Sequence, residues 1–420
     1  MKFKPNPLLY GATEDFYSSF KLTVTMCDTV DREALSRAVE AAMPRFPYFC
    51  VSPEREGDSI VLVSNSRPVP VFADGRCEVL GSDGCNNHLL FFGCEENKIY
   101  LNASHYIADG MGIDPLLKTV LYLYVSELYG TDGLRTERIC MPDGTVSEDE
   151  YAYPFPEIPF ETDNSWPSRK IPEKVYGLDP DAFDGEGMYA YHLHIPQAAM
   201  MSKASPSDGS PVSFLTVMMY NAFCSLDASL ELPVVTHVQH QYRHALRTPI
   251  NRHSLVSYIP VTLTPRAKKW SVEQQNTVLR GQIILGSEVS EDLRAVNRIL
   301  NAIPQGSDIS LAEKKKSMQR YVESSIEGKT FGISYVGKMD WCGLDRYVKD
   351  IHAYIGEKKT KNMLLIEVMT VGEDFTINLM QSGKGRVYVD AFVEQLRLMD
   401  IPVSLIGEER YTLCDTVIPS

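Results

Sequence analysis

The residues whose types and spacing suit them to chemistry are His105, Asp109 and Gly110, in the stretch NKIYLNASHYIADGMG at 97–112. Ile99, Leu101, Ala103 and His105 share strand parity, so an apolar, inward face runs onto an imidazole. A buried imidazole held by its surroundings can stay neutral and basic near pH 7, as a general base must. Asp109 leads into a helical pattern, where the free N–H groups of a first turn favour a carboxylate. Gly110 removes a side chain where the backbone must turn or leave a passage. The bland alternative is a satisfied core histidine followed by an Asp N-cap, and three fixed positions do not separate the two.

Other chemistries find less support. His237, His240 and His244 in THVQHQYRH raise the question of a metal, but 237 and 240 point to opposite faces of a strand, so no metal is expected. The chain has no H-E-x-x-H, no G-x-x-x-x-G-K-[ST] and no G-x-G-x-x-G; GISYV lacks the last glycine of G-x-S-x-G. Nine scattered cysteines without a C-x-x-C pair suit a reducing compartment and buried thiols.

The elements around the motif follow from periodicity. SFKLTVTM at 19–26 alternates as a strand, and VDREALSRAVEAAMPRFPYF reads as a helix closed by Pro44 and Pro47. Strands are expected at SIVLVS, VPVF, HLLFFG and KIYLNAS, and a helix from Gly110 to near Gly130. The proline-rich segment 131–187 has little periodicity and reads as a crossover. Beyond it, MYAYHLHIP, PVVTHVQHQYR, TFGISYVG and MLLIEVM read as strands. SPVSFLTVMMYNAFCSL and DISLAEKKKSMQRYVESSI read as helices, with Lys314, Lys315 and Lys316 on a solvated face. Sliding the chain by 276 residues lays IYLNASHYIADGMGIDPLLKTVL over FTINLMQSGKGRVYVDAFVEQLR, so both read strand, turn, helix. Gln381, Gly385 and Arg386 then stand where the first copy has His105, Asp109 and Gly110, which implies two similar lobes and one reactive site.

A chain of 420 residues exceeds one ordinary core and implies two domains or lobes. The formal charge of −14 argues against nucleic acid or an anionic membrane as the main partner. No apolar run approaches a membrane span, and MKFKPNPLLYGATEDF has no apolar core of a signal peptide, so a cytoplasmic location is expected.

SHYIADG resembles the H-x-x-x-D-G signature of the chloramphenicol acetyltransferase-like superfamily, which includes condensation domains of non-ribosomal peptide synthetases, plant acyltransferases and alcohol acetyltransferases. VDREALSRAVEAAMPRFPYF resembles their first helix, VQHQYR their strand ending in arginine, and ISYVGKMD their later S-N-x-G strand. Three departures leave the subfamily open: Ser104 replaces a second histidine, Tyr335 replaces the asparagine, and DWCGL only loosely echoes D-F-G-W-G. The resemblance implies an α/β (α+β layered) chain of two chloramphenicol acetyltransferase-like lobes, each a mixed sheet with helices, facing across a central channel. Residues 1–160 would form the N-terminal lobe, 161–187 the crossover and 188–420 the C-terminal lobe.

It further implies His105 as general base in moving an acyl group from an acyl-CoA co-substrate to an alcohol or amine. Asp109 would be structural, paired with Arg243, and Gly110 would keep the donor's path open. Ser334 and Gln381 are the candidates for oxyanion or channel contacts. Two alternatives remain: transfer from a thioester on an acyl or peptidyl carrier protein, or a non-catalytic binding or scaffold relative. Both lobes lie in one chain, so a monomer would suffice.

Overall fold

The computed structural model describes residues 2–12, 19–161, 171–304, 309–356 and 362–419. In chain order the first half supplies β1 (Lys2–Phe3), β2 (Ser19–Met26), α1 (Arg32–Ala42), β3 (Val51–Glu56), β4 (Ser59–Ser64), β5 (Val71–Phe72), β6 (Leu90–Glu95), β7 (Lys98–Ser104) and α2 (Gly110–Tyr129). From 130 to 187 the described residues form only two short 3-10 turns, Glu148–Glu150 and Pro180–Phe183. Then come β8 (Met188–Pro196), α3 (Gln197–Ala204), α4 (Pro211–Leu226), β9 (Val234–Gln241), β10 (Val256–Leu263), α5 (Val272–Gly286), α6 (Val289–Asn301) and α7 (Leu311–Ile326). The chain ends with β11 (Phe331–Tyr335), β12 (Val348–Tyr354), β13 (Leu364–Val371), β14 (Asp374–Ser382), α8 (Val387–Leu398) and β15 (Ser404–Tyr411).

Two mixed sheets organise the molecule. The first has the order β12-β2-β7-β6-β5 and the second β10-β9-β11-β13-β14-β8-β15, with β1-β4-β3 as a small third sheet. β11 runs parallel to both its neighbours, β9 and β13, whereas β14 is antiparallel to β13 and β8. Each large sheet carries its own core. Ile99, Leu101 and Ala103 of β7 pack with Leu35 and Val39 of α1 and Ile113 and Leu117 of α2. In the second lobe, Ile333, Ile366 and Ile377 pack with Phe214 and Met218 of α4 and Phe392 of α8. Local signals start these helices: Asp31 accepts from the N–H groups of Glu33 and Ala34, and Ser210 and Ser213 form a capping box before α4.

β7–α2 and β14–α8 both form the strand–turn–helix units of the internal comparison, with β14 beginning at Asp374 where β7 begins at Lys98.

The lobes also exchange chain. β12 leaves the second half and pairs antiparallel with β2 at the edge of the first sheet. The residues around it (Trp341, Leu344, Val348 and Ile351) join the first core, as do Leu311 and Met318 of α7. The lysine run on α7 is more than a solvated face: Lys314 Nζ donates to Asp58 O and Lys315 Nζ to Pro419 O, each at 2.8 Å. These bonds tie α7 to the β3–β4 turn and to the chain's end.

All nine cysteines are free, but Cys27 and Cys77 are exposed, which corrects the expectation of buried thiols. Among the described residues no helix is long and apolar enough to cross a membrane.

Candidate active site

β7 is buried on both faces. Its second face, with Asn102 and Ser104, lies against Cys414 and Thr416 near the chain's end. His105 follows directly in a tight turn, half-buried, with the edge of Phe20 packed on its ring at 5.2 Å between centroids. Its Nδ1 lies 3.1 Å from Ser254 Oγ. The ring's own backbone carbonyl also bonds to it and favours its protonated form. Burial lowers the imidazole below its ordinary value of 6.5, outweighing Asp109 and the carbonyl, so the ring is neutral at pH 7.

Asp109 caps α2 and accepts four hydrogen bonds. Oδ1 takes the Gly112 N–H at 2.8 Å and Arg243 Nη2 at 2.7 Å; Oδ2 takes Arg243 Nη1 and the Leu255 N–H, both at 2.8 Å. The structure thus brings together Asp109 and Arg243 in a two-pronged pair, with both side chains buried. Arg243 also donates to the carbonyls of Asn251 and His253. These bonds clasp the 251–255 loop, which carries Ser254 to the His105 ring. Gly112 permits the same approach, since a Cβ there would stand 2.2 Å from Arg252 O. Gly110 lines the cavity, where a Cβ would stand 3.2 Å from Val336 Cγ1.

That cavity, about 450 Å³, opens between the lobes. Phe20, His105 and Gly110 line it from the first lobe, and Gln241, Ser334 and Glu367 from the second. Ser334 Oγ lies 3.0 Å from Glu367 Oε1. A separate cleft of about 670 Å³, lined by Lys2, Lys4, Tyr153 and Pro304, contains none of the candidate groups.

Gln381 does not join the site. It is fully buried, and its amide donates to the carbonyls of Gly383 and Gly385 within its own turn. The second copy of the unit therefore spends on its loop the residue that stands where the first has histidine, and Gln381 is corrected from a channel contact to a turn support. The three histidines at the end of β9 part company. His237 stacks on Tyr258, His240 approaches Asp292, and His244 is exposed. Among the described residues no group of three His, Cys, Asp or Glu side chains is arranged so that it could hold a metal ion.

Two residues of the site escaped the reading by motif. Ser254 lies in a loop without periodicity. Glu367 was signalled only as a lone carboxylate in the apolar strand LLIEVMTV.

No family model matches the sequence, and no curated protein matches it. Solved structures do resemble it in shape. The F. graminearum TRI101 complexed with coenzyme A and deoxynivalenol superposes with a TM-score of 0.58 at 12% identity, covering 95% of this chain and 97% of that one. Polyketide synthase associated protein 5 from Mycobacterium tuberculosis gives 0.54 at 15% identity, covering 90% and 94%. The condensation domain from Monacolin K polyketide synthase MokA gives 0.52 at 10% identity, covering 91% and 92%. With its two mixed-sheet lobes, the strand exchanged between them and the cavity in their seam, the chain has the chloramphenicol acetyltransferase-like fold.

Proposed function

We propose that the chain is an acyltransferase that moves an acyl group from an acyl-CoA thioester to an alcohol or amine, with His105 as general base. The observation that carries this reading is the placement of His105. A neutral imidazole stands at the seam of the two lobes, with Nδ1 engaged by Ser254 and Nε2 left for a substrate. The coenzyme A complex of a structure with the same fold supports the choice of donor.

In this reading Nε2 takes the acceptor's proton as its oxygen or nitrogen attacks the thioester carbonyl. Ser334 donates its hydroxyl hydrogen to the oxygen that becomes negative. When the tetrahedral intermediate collapses, the C–S bond breaks and the imidazolium returns its proton to the departing thiolate. Asp109 and Arg243 do not touch the reacting atoms; they hold the loop that places Ser254 against the ring.

The test is release of free CoA thiol from acetyl-CoA and longer acyl-CoAs with a panel of alcohols and amines. Wild type should show acceptor-dependent release, and His105→Ala should lose about 10²–10⁴-fold of it while remaining folded. Transfer by that variant at the wild-type rate would sink the mechanism.

A further inference from the structure

β13 divides its side chains cleanly. Leu364, Ile366 and Val368 face the second core, whereas Met369, two residues on from Glu367, packs with the first. Glu367 therefore points out of its own lobe toward the seam, where it lines the same cavity as His105. Ser334 is its register partner on β11 and takes the same face, since Phe331 and Ile333 belong to the second core. The two side chains meet at 3.0 Å, and no charged group among the described residues acts on the carboxyl.

The chemistry of that pair depends on one proton. An ionised carboxylate only accepts, so it would hold Ser334's single hydroxyl hydrogen and place a negative charge beside the developing oxyanion. A neutral carboxyl can instead donate to a lone pair of Ser334 Oγ and leave the serine's hydrogen free. Burial without a cation favours the neutral form.

Resting on the acyl-transfer reading, we propose that Glu367 is a positioning residue whose protonated carboxyl donates to Ser334 Oγ and turns the serine hydroxyl outward as the oxyanion donor. Burial pushes the carboxyl up to about 8, with the Ser334 hydrogen bond opposing, so the proton is present at neutral pH and lost in mild alkali. The other charged or titratable groups lining the cavity from the first half are His105, Asp109, Asp114, Lys118 and Arg138. From the second half they are His240, Tyr335, Lys338 and Asp340. β12, packed against β13, presents Ala353 to the cavity, while its Asp350 and His352 bond to each other.

The experiment is the pH profile of kcat and of KM for wild type and Glu367→Gln, whose amide donates but does not titrate. Wild-type kcat should fall about tenfold per pH unit above about 8, with KM for the donor unchanged. Glu367→Gln should be slower at neutral pH, an amide being the weaker donor, but flat across the alkaline range. An alkaline limb that survives in Glu367→Gln overturns the assignment. Infrared spectra of the carboxyl, with the variant as blank, give a second readout that needs no acceptor. A protonated band at neutral pH that disappears in Glu367→Gln supports the proposal, and a carboxylate already ionised there overturns it. His105→Ala separates the two readings. If it transfers at the wild-type rate, the acyl-transfer reading falls and this one with it; if it is inactive while the limb persists in Glu367→Gln, only the role of Glu367 falls.

Discussion

The Asp109 carboxylate, four residues beyond His105, is the hub of the candidate site. Four donors converge on it, and through Arg243 and the 251–255 loop it reaches Ser254 and so the setting of the His105 ring. Asp109→Ala would leave the Arg243 guanidinium buried without its partner, at a cost of about 3–5 kcal/mol. We expect a clear drop in the urea midpoint together with loss of transfer; unchanged stability would contradict the structural role. The motif residues were legible because strand parity and a helix start are local. Both readings of Asp109 turn out to describe one residue, an N-cap that is also an ion-pair partner. Arg243 as that partner was legible only through the resemblance. Glu367 was hidden by its surroundings: a carboxylate in LLIEVMTV shows its purpose only when Ser334, from another strand, is placed beside it.

At the scale of elements, β12 is where the lobes are fastened. Asp350 Oδ2 lies 3.0 Å from His194 Nε2 on β8 and 2.9 Å from His352 Nε2 on β12, joining strands of two different sheets. The bond from Asp350 raises His194 above 6.5. Burial pushes Asp350 up, but the bonds from His194 and His352 outweigh it and hold the carboxyl well below its ordinary 3.8. The His194 contribution to stability is thus complete below 6.5 and lost as pH rises through its folded value. That of Asp350 is present above 3.8 and lost as pH falls through its folded value. Asp350→Asn should therefore destabilise more at about pH 5.5 than at about pH 8.5. Equal costs in urea denaturation at the two pH values would refute the charge-based clamp. His192 next to it is pushed down to about 3 by burial and then by His352, so comparing wild type with variant, not wild type alone, isolates the Asp350 effect. None of this was readable beforehand. A strand's partner is set by packing across hundreds of residues, and β12 carries the mixed sequence VKDIHAY, with no clean alternation to mark it.

For the whole molecule, two large cores meet at a seam that holds the cavity lined by His105. The two-lobe plan was legible from length and from the 276-residue self-comparison, because β7–α2 and β14–α8 repeat a local unit. The strand and the first helix at 256–286 were not, since α5 mixes apolar and polar residues around its circumference and β10 is only partly buried; α6, with its clear apolar stripe, was legible and was missed. The formal charge of −14 does not prevent Lys118, Arg138 and Lys338 from standing at the cavity. The central claim is that this seam accepts an acyl-CoA, and calorimetric titration of the purified chain with CoA and acetyl-CoA tests it without knowledge of the acceptor. The account predicts one site per chain with micromolar affinity, about −8 kcal/mol. No binding of CoA, acetyl-CoA or longer acyl-CoAs would contradict it.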